Sequence, residues 1–335
     1  MKDIVIAGCA ITDVIKEVDQ FPQPTSLAKV RKQKQSVGGA MCNTSIDLKK
    51  LNEKRNIKVI GVVGNDSNGD FVLNTLKEKG LDISSMFRVN APTSYTDVIS
   101  EASGRRTFFH NQGADDYLSE EHFANVNADN TELIHIGYLL LLGGLDEEDS
   151  VYGTKMAKLL HSLQSRNVKT SIDIVSEDSE RFMKVVTPSL KYCNYAIMNE
   201  FEGGKITNIN PRNDDETINI ENIKKILIKL KELGVQDKVI IHCPELGAVI
   251  DKNLHITVVP SLKLPKGYIK GSVGAGDAFA AGCLHGIVNQ YDDEHMLRLA
   301  SCCSALNLSV IDSTSGANSE EVAMVLDEQY ERLSL

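Results

Sequence analysis

Gly271-Ser272-Val273-Gly274-Ala275-Gly276-Asp277 runs without a break into Ala278-Phe279-Ala280-Ala281-Gly282-Cys283-Leu284. Three glycines in seven residues, followed by small apolar residues and no proline, describe a tight turn that opens directly into a buried helix. The first N–H groups of a helix have no partners within it, so those of Ala275, Gly276 and Asp277 are predicted to converge ahead of the helix, at a point that attracts anions. Asp277 is the one charged group in the stretch. A carboxylate beside an anion site repels phosphate unless it has chemistry to perform, and proton abstraction is that chemistry. An acceptor hydroxyl lying between Asp277 and the γ-phosphate of a nucleotide would give its proton to the carboxylate, while the N–H groups hold the charge on the transferring group.

Around this stretch, short apolar runs alternate with helical patterns over nearly the whole chain. Residues 4–7, 59–63, 133–138, 170–175, 196–198 and 239–242 read as buried strands. Residues 40–51, 71–79, 149–166, 180–186 and 219–233 carry helical periodicity, with Gly80 and Gly234 at two of the ends. Such alternation predicts an α/β fold: a mostly parallel sheet covered by helices on both faces, with ligands bound at the carboxyl ends of its strands. Two segments break the rhythm. Residues 12–36 hold Pro22 and Pro24 and no clear helix, while 93–100 and 105–110 flank Glu101-Ala102-Ser103-Gly104 as a β-hairpin. Strands from about 12–36 and 91–112 are expected to pair into a small sheet that covers the site as a lid and excludes water.

The 335 residues suffice for one large α/β domain or two smaller ones. A net charge of −10 and a pI near 5.4 argue against a nucleic-acid surface, which needs clustered Lys and Arg. The first residues, Met1-Lys2-Asp3-Ile4-Val5-Ile6-Ala7-Gly8, read as a strand rather than a signal peptide. No run reaches the roughly 18 apolar residues of a membrane span. The expected location is the cytoplasm, with no membrane partner. Seven cysteines without a Cys-x-x-Cys pair suit reduced core thiols and give no metal or redox role.

Gly274-Ala275-Gly276-Asp277-Ala278-Phe279, with Ala281-Gly282 behind it, resembles the C-terminal signature of the PfkB (ribokinase-like) family of carbohydrate and nucleoside kinases. The resemblance implies a three-layer α/β/α domain over 1–335 with an inserted β-sheet lid and dimerisation through that lid. It also implies an anion hole at Gly274 to Asp277, with Asp277 as catalytic base. Gly38-Gly39-Ala40-Met41-Cys42-Asn43 resembles the family's N-terminal signature, in which paired glycines and an Asn line the sugar pocket. Asp13 stands where members hold two substrate hydroxyls, and Gly113-Ala114-Asp115 resembles the Gly-Ala-Asn element beneath the sugar, with Asp replacing Asn. Asn199-Glu200-Phe201-Glu202 is similar to the Asn-x-x-Glu motif, whose Asn199 and Glu202 would organise the waters of Mg²⁺ on the phosphates of ATP. Gly247 falls at the position of the adenine-side loop, and Gly316-Ala317 at that of a Gly-Ala loop near the nucleotide. One departure stands out. Members commonly begin the C-terminal motif with Asp-Thr, whose Asp helps hold a monovalent cation in potassium-activated members; here the positions are Gly271-Ser272.

A Rossmann dehydrogenase is disfavoured because no Gly-x-Gly-x-x-Gly follows the first strand, and a P-loop kinase because Gly-Lys-Ser/Thr is absent. A non-catalytic sugar sensor on the same fold is disfavoured by the presence of Asp277 within its Gly-Ala-Gly. Asp13 and Asn43 ask for a polyhydroxylated acceptor. With 5% aromatic residues and no Trp, few rings are available to sandwich a base, which favours a sugar over a nucleoside. Arg105 and Arg106 on the hairpin could reach a phosphorylated substrate or the transferring phosphate but are expected to be solvated lid residues; His110 could face the pocket but is expected to be structural.

Overall fold

The computed structural model describes residues 1–101, 106–177 and 181–335. Arg105 and the hairpin tip Ala102-Ser103-Gly104 therefore lie outside the described residues, as does Glu180. The chain begins with β1 (Asp3–Gly8), β2 (Ile11–Val18), β3 (Val30–Gly38), α1 (Ala40–Leu51), β4 (Ile57–Gly64), α2 (Ser67–Glu78) and β5 (Asp82–Val89). There follow β6 (Tyr95–Glu101), β7 (Arg106–Asn111), β8 (Thr131–Leu139), α3 (Gly143–Asp146), the two-residue strands β9 (Glu148–Asp149) and β10 (Gly153–Thr154), α4 (Lys155–Ser165) and β11 (Lys169–Ile174). The last third holds α5 (Phe182–Leu190), β12 (Tyr195–Asn199), α6 (Glu200–Thr207), α7 (Ile220–Glu232), β13 (Lys238–His242), β14 (Leu246–Ile250), β15 (Ile256–Pro260), α8 (Ala275–Val288), α9 (Asp293–Leu308) and α10 (Glu320–Gln329).

A large sheet runs in the order β15-β14-β13-β12-β11-β8-β1-β4-β5. It is parallel from β5 to β13 and ends in the antiparallel pair β14 and β15. Its central strands are buried along most of their length because both faces are covered. On β1, Val5 and Ala7 pack into the layer that holds α3 to α7, whereas Ile4 and Ile6 face the layer of α1, α2, α8, α9 and α10. Helices thus cover both faces of the sheet in three α/β/α layers. After β1 the large sheet grows outward through β4 and β5, then returns to the other side of β1 with β8. That reversal opens a crevice at the carboxyl ends of the strands.

The two irregular segments form a separate four-stranded sheet in the order β3-β2-β6-β7. Asp13 on β2 stands opposite Ser36 on β3 and Thr96 on β6, and Thr96 stands opposite His110 on β7. The helix expected over 149–166 starts only at Lys155. The Asp149 carboxylate accepts the N–H groups of Val151 and Tyr152, both at 2.9 Å, and forms a turn, after which Thr154 caps α4 by accepting from Ala157 at 3.1 Å. Strands β5 and β15 are the two edges of the sheet, and β14 lies just inside β15. Half-exposed β5 has no continuous apolar run, so periodicity did not reveal it. Among the described residues no helix is long and apolar enough to cross a membrane.

Candidate active site

Gly274 precedes α8 in the left-handed region with φ 81°, and a Cβ there would lie 2.6 Å from the carbonyl oxygen of Ser313. Only glycine makes this turn. The helix it opens is buried on nearly every side, because Gly282 lets it approach Ala300 of α9 so closely that a Cβ would stand 2.6 Å from the Ala300 Cα. Ala275 N–H turns back to the Ser272 carbonyl at 3.3 Å, so it is not one of the free donors the sequence suggested. The N–H groups of Gly276 and Asp277 have no partner among the described residues, and with no side-chain cap on the helix they remain open to an anion.

Asp277 is buried, and its Oδ2 accepts from Asn43 Nδ2 at 2.8 Å and from the Tyr138 hydroxyl at 3.1 Å. Burial pushes this carboxyl up to about 6; the charge of Asp173 adds to the rise, and the bonds from Asn43 and Tyr138 oppose it. Asp173, at the end of β11, accepts the Tyr138 N–H and lies 3.2 Å from His135 Nε2, whose Nδ1 is 2.9 Å from Ser171 Oγ.

On one side of Asp277 is a cavity of about 170 Å³ between the two sheets, lined by Asp13, Gly39, Asn43, Thr96, Arg106 and Phe108 among others. The paired glycines shape it. A Cβ on Gly38 would stand 2.4 Å from Asp13 Oδ2, and Gly39, with φ 85°, has the Cys9 carbonyl 2.5 Å from where its Cβ would be. Burial raises the Asp13 carboxyl to about 6, against a bond from Thr96. Arg106, expected to be solvated, lines this cavity instead. Gly113 does not: it begins a short 3₁₀ turn at φ 51°, pressed against the Pro92 carbonyl. Its neighbour Asp115 accepts the Ala10 N–H at 3.0 Å and so ties down the link from β1 to β2.

Ahead of α8 lies a cavity of about 290 Å³ lined by Asp277, Gly274, Gly276, Asn199, Glu202 and His242 among others. Asn199 and Glu202 close on each other as a capping box at the start of α6. Asn199 Oδ1 accepts the Glu202 N–H at 2.9 Å and Glu202 Oε2 accepts the Asn199 N–H at 2.8 Å. Oε1 of Glu202 accepts from Ser176 Oγ and Asn199 Nδ2, both at 2.8 Å. Burial raises the Glu202 carboxyl to about 7, opposed first by the Asn199 N–H. Glu200 faces away into an ion pair with Arg212 at 2.5 Å.

His242 also borders a third cavity of about 290 Å³, walled by Leu262, Leu264, Ile269, Phe279 and Leu308. Two expectations fail here. Gly247 is not on a nucleotide loop; it lies within β14, where its missing side chain makes room for Phe279, whose Cζ would be 3.0 Å from a Cβ. Cys243 and Pro244, on the preceding turn, line the cavity in its place. Gly316 and Ala317 line neither large cavity: Gly316 packs on the Leu306 carbonyl, with a Cβ position 2.4 Å away, and both residues border a small void beside Asp47. Sequence reasoning missed Tyr138, Asp173 and His242. The available signal for Asp173 was a charged residue inside a stretch, 170–175, that reads as a buried strand.

The family model for pfkB family carbohydrate kinases matches residues 1–320. The chain belongs to that family. It is a phosphotransferase with an alcohol group as acceptor. Its sequence is 24% identical over 301 residues to a nucleoside kinase of Methanocaldococcus jannaschii, covering 88% of this chain and 86% of the relative. It is 22% identical over 334 residues to an ATP-dependent ribose-1-phosphate kinase of Halopiger xanaduensis, covering 99% of this chain and all of the relative. Among solved structures, Arabidopsis thaliana ribokinase in complex with ribose and ATP is similar with a TM-score of 0.78 at 17% identity, covering 97% of this chain and 98% of that one.

Proposed function

We propose that the whole chain forms one kinase unit that transfers the γ-phosphoryl group of ATP to a hydroxyl of a small sugar. One observation carries the reading: Asp277 joins the acceptor cavity, through its bond from Asn43, to the open start of α8. In this reading Asp13, Asn43 and the backbone at Gly38-Gly39 receive the sugar hydroxyls. Asp277 takes the proton from the attacking hydroxyl, and the N–H groups of Gly276 and Asp277 stabilise the charge that develops on the transferring group. The turn at Gly274 and Ala275 shapes that hole. The apolar cavity walled by Leu262, Ile269 and Phe279 suits a nucleobase. The small sheet acts as a lid, excluding water that would otherwise accept the phosphoryl group.

Glu202 and Asn199 fit a magnesium ion held through its waters. Their side chains are committed to the capping box, which rules them poor direct ligands, yet a buried carboxylate raised to about 7 gains from a nearby cation. Mg²⁺ supplies neutralisation of the phosphate charge when bound.

A nucleoside acceptor is the second reading, favoured by the lining of the acceptor cavity. Above the hydroxyl-binding level of Asp13 and Thr96, the next residues on the same faces of β2 and β6 are Ile15 and Val98, with Phe108 opposite Val98 on β7 and Val273 and Ile311 also lining the cavity. Two residues along a strand is about 6.7 Å, beyond the reach of a pentose alone but within that of a base attached to it. Thermal-shift measurements with a non-hydrolysable ATP analogue and ribose, fructose, adenosine or inosine, followed by turnover assays, separate the readings. Stabilisation and turnover with free sugars support the first, a strong preference for nucleosides the second. Turnover with none of the four overturns the acceptor assignment.

A further inference from the structure

Tyr138 belongs to neither glycine motif, yet it lines both the acceptor cavity and the cavity ahead of α8. Its hydroxyl donates to Oδ2 of Asp277, the same oxygen that accepts from Asn43. Oδ1 of Asp277 accepts no hydrogen bond among the described residues, and it is not one of the atoms sealed from solvent without a partner. Two donors thus pin the carboxylate by one oxygen and leave the other open to the cavity. A base that must meet a substrate hydroxyl at a fixed angle needs this arrangement.

The backbone is bent to bring the phenol there. Tyr138 has φ 63° and Leu140 φ 85°, both in the left-handed region that side-chain-bearing residues seldom occupy. Such backbone persists only when its surroundings hold it. Here the Tyr138 N–H is held by the Asp173 carboxylate, which His135 supports in turn, and all of these side chains lie at or below the floor of the cavity. Gly137, just before the bend, lets the strand pass close to α1, since a Cβ there would stand 2.4 Å from the Ala40 side chain. A tyrosine serving only to fill space would require neither the bend nor the carboxylate that supports it.

We propose that Tyr138 is a positioning residue for phosphoryl transfer: through its hydroxyl it sets the orientation and the proton affinity of Asp277, and the Asp173–His135 pair holds it in place to do so. The proposal rests on the reading of Asp277 as the general base. A hydrogen bond donated to the charged form of a carboxylate lowers its pKa. Burial and the neighbouring Asp277 charge push the ionisation of the Tyr138 phenol well above its ordinary value, so it remains a donor. The other charged or titratable groups around Asp277 are Asp173 from β11 and His135 from β8, with Asp47 and Cys42 from α1, and His242 and Glu202 around the shared cavity. None of these donates to its carboxylate.

The test replaces the donor without changing the shape. In Tyr138→Phe, kcat with ribose or adenosine as acceptor falls about tenfold while the acceptor KM changes less than threefold. The Asp277 carboxyl titration, read by ¹³C NMR and assigned by its loss in Asp277→Asn, moves up by about one pH unit. Introducing 3-fluorotyrosine at position 138 strengthens the donor and moves the same midpoint down, a readout that needs neither turnover nor a tolerated deletion. Midpoints unmoved in both variants overturn the proposal, as does a loss of kcat in Tyr138→Phe with an unmoved midpoint, which assigns the residue to packing. Asp277→Asn separates the two levels. If that variant is as active as the wild type, the general-base reading fails. If it is inactive while the Tyr138 variants leave the midpoint unmoved, only the role of Tyr138 fails.

Discussion

Two helix starts face the same cavity and are built in opposite ways. At α6 two backbone donors are taken by a side-chain capping box: Asn199 and Glu202 bond to each other's N–H groups, and Ser176 completes the carboxylate. At α8 no side chain caps the helix, Gly274 turns the chain away in the left-handed region, and the N–H groups of Gly276 and Asp277 are left without partners. Leaving donors unpaired costs stability, about 1 kcal/mol for a missing cap. A protein can bear that cost where a ligand makes the missing bonds. On the proposed reading, the closed start would keep its side chains rigid beside the phosphates, and the open start would receive the charge.

The sharpest way to break this contrast is Asp277→Asn, which keeps the shape of the open start and removes its proposed base. The expected loss in kcat is roughly 10² to 10⁴, or about 3–5 kcal/mol, with nucleotide affinity little changed. Retention of a tenth of the wild-type kcat would refute the assignment. The same variant has a stability signature. The folded-state pKa of Asp277 is raised from 3.8 to about 6, so between those pH values the native state holds a proton that the unfolded chain has lost. Stability from this group is therefore greatest below about pH 4, falls as pH rises through 6, and is lower by roughly 2–4 kcal/mol above that. Asp277→Asn should be more resistant to urea than the wild type at pH 8, and the difference should close towards pH 4. For the same reason wild-type kcat/KM should climb with pH through about 6 as the base ionises.

The closed start is tested by Glu202→Gln against Glu200→Gln. Both carboxylates sit in the first turn of α6, but Glu202 lines the cavity while Glu200 is paired with Arg212. Glu202→Gln should raise the Mg²⁺ concentration for half-maximal rate severalfold and cost about 1 kcal/mol from the weakened cap. Glu200→Gln should leave the Mg²⁺ dependence unchanged. Equal responses in the two variants would mean that the carboxylates act only through the stability of α6.

The open start was legible because it is local. Gly274, Gly276 and Asp277 are consecutive enough that the conformational freedom of glycine and the geometry of a helix terminus dictate their arrangement. The strands at the sheet centre were legible for a similar reason, since burial on both faces leaves an unbroken apolar run such as Val59 to Val63. Tyr138 was not legible. It meets Asp277 across 139 positions of sequence, and its importance depends on a left-handed bend that only the packed neighbours Ala40 and Asp173 enforce. Gly247 misled for a different reason: a glycine read as a loop residue serves to admit Phe279 against a strand. Arg106 was read as solvated because the register of β7 against β6, which turns it towards the acceptor cavity, is a tertiary property.

The smallest effect expected is that of potassium, and it concerns what surrounds the open start. Kinases of this family that respond to a monovalent cation commonly carry an Asp at the position of Gly271, and a cation near the anion hole gains most of its Coulomb energy from that one charged ligand. Gly271 offers no side chain, and the packing leaves no space for one: a Cβ there would stand 2.8 Å from the carbonyl oxygen of Val310 and 2.9 Å from that of Ile311. The turn is steadied from within the protein. Asn307 Nδ2 donates to the Ser313 carbonyl at 2.6 Å, and that carbonyl is the one pressed against Gly274. Neutral oxygens alone hold a monovalent ion weakly in water, so the hydrogen-bonded loop is expected to set the geometry of the anion hole whether or not potassium is present. Rates measured with K⁺ and with tetramethylammonium at constant ionic strength should therefore agree within a few-fold. A stimulation by K⁺ of tenfold or more would show that the carbonyls of the Val310–Ser313 loop suffice without a carboxylate, and that the open start depends on a bound cation as well as on its own turn.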